Sequence, residues 1–334
     1  DHFNLRKLFR FVLPYIFMMI VTSIYGVVDG FFVSNFVGKT PFAAINLIMP
    51  FIMILGGMGF MIGTGGTALV TEVIGENDSK KANQYFTMLI IFAMILGIVL
   101  SAIGIAVMRP IARLLGANDD MIEYCVLYGR LTVGFTSLFI LQNLFQSFLA
   151  GAGKPKIGLI VTLVAGCTNI VLDALFIAMF KWGIAGAAIV TGIGQFLGGI
   201  IPLVYFARKN NSLLKLTRTK LEIKPILRSC ANGSSELLTN IASSLVSILY
   251  NLQLMKFYGE NGVSAYGVIM YVQLIFLAII IGYTIGSAPI VSYNYGAKNT
   301  TELKSIFKKS ILVLVVSGVV LVGLAQALAT PLSK

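Results

Sequence analysis

Histidine occurs once in this chain, at His2, and cysteine three times, at Cys125, Cys167 and Cys230. A lone histidine excludes His-ligated metal centres and His-dependent catalytic triads. The cysteines stand in or beside different apolar segments without CxxC spacing, so they read as packing residues rather than as a disulfide framework or metal knuckle. Charge is sparse too. Only 11% of the 334 residues are Asp, Glu, Lys or Arg, against 57% hydrophobic and a mean hydropathy of +0.90. Such a balance excludes a soluble globular domain and leaves a polytopic membrane protein.

The formal charge of +12 would suggest nucleic acid if the basic residues formed one patch. They fall instead in short segments between apolar runs, so no nucleic-acid partner is expected and the lipid bilayer is. The first run, beginning near Phe11, is too long for a cleavable signal and is expected to remain as a membrane helix.

Nine runs reach the length of about 20 apolar residues that a membrane helix needs: 11–37, 43–74, 84–108, 122–149, 157–180, 184–207, 235–258, 264–295 and 306–330. With the N-terminus inside, 18 of the 25 Lys and Arg residues fall in cytoplasmic segments. The positive-inside rule therefore predicts a multi-pass protein of the inner or plasma membrane with a cytoplasmic N-terminus. The longest polar stretch, Arg208 to Arg228, separates a six-helix lobe at 1–207 from a partial lobe at 231–334, and a basic cytoplasmic linker is expected over 208–230.

An internal repeat supports that division. At a period of 221 residues, Gly38 matches Gly259, Ala44 matches Ala265, Met49 matches Met270, Gly65 matches Gly286 and Gly75 matches Gly296. The same gap-free register pairs Phe86 with Phe307, Gly97 with Gly318, Leu100 with Leu321 and Pro110 with Pro331. Both copies start inside, so the repeats are parallel, related by an axis along the membrane normal. A complete second copy needs roughly 100 further residues, and the chain is expected to be C-terminally truncated.

The run from Ile157 to Phe180 carries the main functional signal, because it holds Asn169 and Asp173. An ionisable group in hydrocarbon is expensive and is kept mainly where it handles ions or protons. Four residues apart, the two share one helix face. Asp29 lies nine residues before Gly38 and Asp173 eight before Lys181, so both carboxylates sit roughly 12 Å below the outer helix ends. Thr191, eight residues after Gly183 on a helix of opposite direction, reaches the same depth.

Taken singly, Asn169 and Thr191 are better explained by local or interhelical hydrogen bonds, and the alternative for the aspartates is a structural interaction with a neighbouring helix. No Lys or Arg lies at their depth, however, and two carboxylates close together in low dielectric cannot both stay ionised cheaply. A proton or Na⁺ is therefore expected at Asp29, Asn169, Asp173 and Thr191, with no other cofactor. Tyr250 occupies the position of Asp29 in the second copy, which confines the ion site to the first lobe. Glu236 is the one acid in the second lobe's apolar region and is either a secondary polar site or an interfacial carboxylate. The glycines Gly56, Gly57, Gly59, Gly63, Gly65 and Gly66 suit close helix packing. Met18, Met19, Met49, Met53, Met58 and Met61, with Tyr25 and Phe31, could line a cavity for apolar cations, although as lone residues they more often face lipid or pack in the core.

Several motifs together resemble the multidrug and toxic compound extrusion (MATE) transporters, in particular their MepA-like bacterial branch. They are "YGVVDGFFVSNFVG", "GTGGTALVTEVIGENDSKKAN", "AGAGKPK", "NIVLDALF" and "GIAGAAIVT". The resemblance covers the whole chain. It implies an all-α fold of two repeated six-helix bundles around a cleft, with about nine of twelve helices present here. It also implies a monomeric, non-enzymatic secondary antiporter that exports organic cations or amphipathic drugs in exchange for H⁺ or Na⁺. In the family the first-lobe cation site uses an aspartate of the first helix, an N-x-x-x-D motif and a threonine of the sixth, the positions of Asp29, Asn169, Asp173 and Thr191. The alternatives are a lipid-linked oligosaccharide or polysaccharide flippase of the same superfamily, which predicts a broad basic cleft and is disfavoured because the basic residues fall mostly in the expected cytoplasmic loops, and an intramembrane aspartyl enzyme built on Asp29 and Asp173, opposed by the repeat and the N-x-x-x-D spacing. A purely structural membrane protein is opposed by the buried acids.

Overall fold

The computed structural model describes residues 4–332, all helical apart from turns and one extended linker among the described residues. In chain order the helices are α1 (Leu5–Phe36), α2 (Lys39–Gly75), α3 (Ser79–Leu114), α4 (Ile122–Gly134), α5 (Thr136–Gly151), α6 (Pro155–Asp173), α7 (Gly183–Ala207), α8 (Ile223–Gly296) and α9 (Thr300–Leu332). A π-helical turn, Ala174–Met179, continues α6.

Local chemistry sets the boundaries. The Asn4 side chain accepts from the Lys7 N–H at 2.8 Å and opens α1, and Asp78 accepts from the Lys81 N–H at 3.0 Å and opens α3. Pro155 occupies the first turn of α6, where its missing N–H costs nothing. The predicted run 122–149 is two helices bent by 55° at Gly134–Phe135. Glycine at the joint permits the bend, and the Phe135 ring fills the space that Gly192 of α7 leaves free.

Among the described residues, seven helices are long and apolar enough to cross a membrane, and the bent α4–α5 pair makes eight. The remaining predicted run, 235–258, is helical as the first part of α8. The sequence suggested a break between 258 and 264, but helix runs through it. Gly259 and Gly262 lie there without a proline, and glycine weakens a helix without removing a backbone donor. The 74 residues of α8 would measure roughly 111 Å if straight. Yet Ser229 and Gly233 meet α2 at Gly65, and Tyr293 meets it at Gly75, only about 15 Å further along α2. The element therefore doubles back, and its two legs stand where two spans were expected.

The 221-residue repeat is visible in these contacts. Gly65 packs against Gly233, and the equivalent pair, Gly286 and Val12, also touch. The turns that follow repeat as well. Asn77 and Lys298 both have left-handed backbones (φ 66° and 55°), and Asn299 caps α9 by accepting from the Glu302 N–H at 3.1 Å, as Asp78 caps α3. One bundle and part of its copy thus face each other about a pseudo-two-fold axis.

Residues 208–222 are extended and then pass into α8, so the last eight residues of the predicted linker are helical. The extended part is docked on α3. The Lys215 N–H donates to the Asn83 side chain at 2.8 Å and the Thr217 N–H to the Thr87 hydroxyl at 3.0 Å, while Leu214 is fully buried. Beneath it sits the first lobe's core, where Phe86 contacts Phe148 and Phe206 edge-on with ring centroids 4.9 Å apart.

Candidate functional site

Helices α1, α2, α5, α6 and α7 enclose a cavity of about 220 Å³ inside the first lobe. Its existence follows from helix spacing. Gly59 and Gly63 of α2 admit the backbone of α5 at Ile140 and Leu144, and Gly194 of α7 approaches Asn169 of α6. The remaining faces, left without close contact, form the void.

Asp29, Asn169 and Thr191 line this cavity, and Asp173 is completely buried beside it. The Asp29 and Asp173 carboxyl groups are direct electrostatic neighbours. Among the described residues, Asp29 Oδ1, both Asp173 carboxylate oxygens and Asn169 Oδ1 are buried without a hydrogen-bond partner. The Thr191 hydroxyl donates to the Ala187 carbonyl at 3.0 Å, so towards the cavity its oxygen can act as an acceptor. No Lys or Arg is among the lining residues. The arrangement is acceptor-rich and donor-poor, so a small hard cation or a proton satisfies it chemically where a second anion would not.

Sequence reading overlooked several groups of this cavity. Gln142 of α5 and Gln195 of α7 also line it, each with an unpartnered side-chain oxygen. Tyr128 of α4 is buried with its hydroxyl against Thr191 and Thr132 and in electrostatic range of both aspartates. Gln195 follows Thr191 by four residues and so shares its helix face, a signal that was available. Tyr128 carried none, because the bend between α4 and α5 decides where it points.

Of the residues expected to line a drug cavity, Tyr25, Met49 and Met53 do so, whereas Met18, Met19, Met58, Met61 and Phe31 are not among its lining residues. Glu236 does not line it either. It lies half-buried on the first leg of α8, where its backbone carbonyl accepts from Asn240 at 2.8 Å.

The π-helical turn begins at the residue after Asp173. There the Phe180 N–H reaches the Leu175 carbonyl at 2.8 Å, five residues back. Such wide turns concentrate at functional sites in helices.

The chain matches the MatE family model over residues 14–175 and 237–334. It is 25% identical over 304 residues to the multidrug export protein MepA of Staphylococcus haemolyticus, covering 91% of this chain and 67% of that protein. Identity to the MepA of Staphylococcus saprophyticus is 26% over 314 residues, covering 93% and 69%. The structure resembles an outward-facing multidrug resistance MATE family transporter with a TM-score of 0.92 at 20% identity, over 99% of this chain and 74% of the other. A MATE in the straight conformation superposes with a TM-score of 0.90 at 20% identity, over 98% and 74%. At that identity the solved structures speak for the fold, and the family match covers well over half of the sequence. This chain belongs to the MatE family and has the fold of the MATE membrane transporters.

Proposed function

We propose that the protein is a secondary multidrug exporter that moves organic cations or amphipathic drugs out of the cell in exchange for H⁺ or Na⁺. Asp29, Asn169, Asp173 and Thr191 hold the coupling ion. The observation that carries this reading is the buried pair Asp29 and Asp173, one lining the cavity and the other beside it, with unpartnered oxygens and no Lys or Arg among the lining residues to balance them. An exchangeable cation supplies that balance, and a proton or Na⁺ differs from a fixed lysine in being able to leave.

Transport follows from differential affinity. The coupling ion and the drug each bias the lobes between inward and outward openings only by as much as their affinities for the two states differ. Tyr25, Met49 and Met53 give the cavity an aromatic and thioether wall suited to an apolar cation. The N-terminus is assigned to the cytoplasm. Lys7, Arg10, Lys154, Arg208 and Lys209 gather at that end, whereas Arg109 and Arg113 at the opposite end are paired with Glu123 and Asp119.

Ethidium accumulation in efflux-deficient cells tests the proposal. Cells expressing the protein accumulate less dye than empty cells, Asp173→Asn abolishes the difference, and collapsing the Na⁺ and H⁺ gradients separately names the ion. Equal accumulation in wild-type, mutant and empty cells overturns drug export as the function.

A further inference from the structure

At the N-terminal end of the first lobe, away from the acidic cavity, the start of α1 and the turn between α5 and α6 enclose a pocket of about 530 Å³. Lys7 and Arg10 line it from α1, and Lys154 and Lys156 from the turn and the start of α6. No acid lines it, and among the described residues none of these four cations forms an ion pair. The first turn of α6 opens at the same place without a side-chain cap, so its backbone N–H dipoles add to the positive field. Four unpaired cations around one concavity repel each other and are stabilised together only by an anion.

The pocket also has an apolar shoulder, formed by Phe11, Pro14 and Ile157. From there α1 and α6 run in the same direction, packed on each other. Leu13 and Phe17 stand exposed on one helix at a spacing of four, and Ile160 and Val164 on the other. Each pair shares a helix face. A cationic cup that opens onto apolar stripes is complementary to a molecule with a phosphate at one end and hydrocarbon at the other.

We propose that this pocket binds the phosphate headgroup of an anionic phospholipid, with its acyl chains along the exposed faces of α1 and α6. Lys154 and Lys156 hold the phosphate from the α6 side and Lys7 and Arg10 from the α1 side, so the lipid ties together the starts of two helices. Free phosphate shares the headgroup chemistry but gains nothing from the apolar stripes.

Native mass spectrometry of the detergent-purified protein, with phosphatidylglycerol or phosphatidylcholine added, tests the site. Phosphatidylglycerol is expected to remain bound where phosphatidylcholine does not. Its binding falls about thirtyfold in Lys154→Gln/Lys156→Gln, because each lysine near an anionic headgroup contributes a factor of about five. The exposed pair Lys304→Gln/Lys308→Gln, placed on α9, leaves it unchanged. Equal retention of the two lipids by the wild-type protein overturns the proposal without reference to any variant. An equal loss in the α9 control reduces the effect to general charge and also overturns it. So does full displacement of phosphatidylglycerol by inorganic phosphate, which would make the pocket a site for a soluble anion.

Discussion

Gly75 and Gly296, 221 residues apart, stand in reciprocal contact. A Cβ on Gly75 would collide with the Tyr293 carbonyl oxygen, and a Cβ on Gly296 with that of Glu72, and Glu72 and Tyr293 are themselves repeat equivalents. The two copies of one sequence therefore pack by the same contact twice, in the manner of an isologous interface within a single chain. Because each obstacle is backbone, neither side can yield by changing a rotamer. Gly75→Val or Gly296→Val is expected to lower stability by about 1–3 kcal/mol, the range of overpacked helix contacts. Gly318→Ala, where no atom lies within 4 Å, should leave the detergent melting temperature unchanged or raise it. Thermal melting of the three variants checks this.

One turn away, Arg228 bonds both oxygens of Glu72 at 2.9 Å and joins the first leg of α8 to α2. The Arg228 side chain is 54% exposed and that of Glu72 15%, so the geometry is favourable but the solvent screening substantial. Glu72→Gln is expected to cost about 0.5–1 kcal/mol, with greater loss at low salt than at high salt. The exchange Glu72→Arg/Arg228→Glu should recover most of it, whereas either reversal alone should not.

The acidic cavity predicts a competition between ions. If the proposed coupling site takes Na⁺, the ion bound between Asp29 and Asp173 would stabilise the fold by mass action, and protons on the same carboxylates would oppose its binding. Added Na⁺ should therefore raise the melting temperature of the wild-type protein in alkaline buffer and progressively less as pH falls. Asp173→Asn should show no Na⁺ effect at any pH and should be no less stable than wild type without Na⁺, because it removes a buried charge without a partner. A wild-type protein indifferent to Na⁺ throughout, with Asp173→Asn still inactive in efflux, would assign the coupling to H⁺ alone.

Docking of the interlobe segment on α3 is open to proteolysis. Lys215 and Arg218 are exposed, yet their backbone is held through Asn83 and Thr87. Asn83→Ala/Thr87→Ala should speed tryptic cleavage there by up to about thirtyfold, by the loss of two hydrogen bonds of about 1 kcal/mol each. An unchanged cleavage rate would mean that Leu214, buried in the core, suffices to hold the segment.

Much of this was legible in the sequence, for physical reasons. Long apolar runs announce membrane helices because hydrocarbon tolerates nothing else, and a gap-free register of glycines announces a repeated packing. Asp29, Asp173 and Thr191 could be assigned to one depth by counting residues from helix ends. Counting gives depth along the membrane normal but not azimuth around the bundle. For that reason Tyr128 and Gln142, which depend on the bend at Phe135, went unseen. The docked linker was hidden by its composition, since seven basic residues look solvated while one leucine and two backbone N–H groups fix its path.

The wide turn after Asp173 bears on how this helix tolerates insertion and deletion. Each hydrogen-bonded loop of Ala174–Met179 encloses one residue more than an α-helical loop does. Deleting a single residue there would let the segment close into α-helix without moving Asn169 or Asp173, which lie before it. The same deletion within Ile157–Cys167 would rotate both polar groups by roughly 100° away from Asp29. The length of the helix is thus free to vary on one side of the carboxylate pair and fixed on the other.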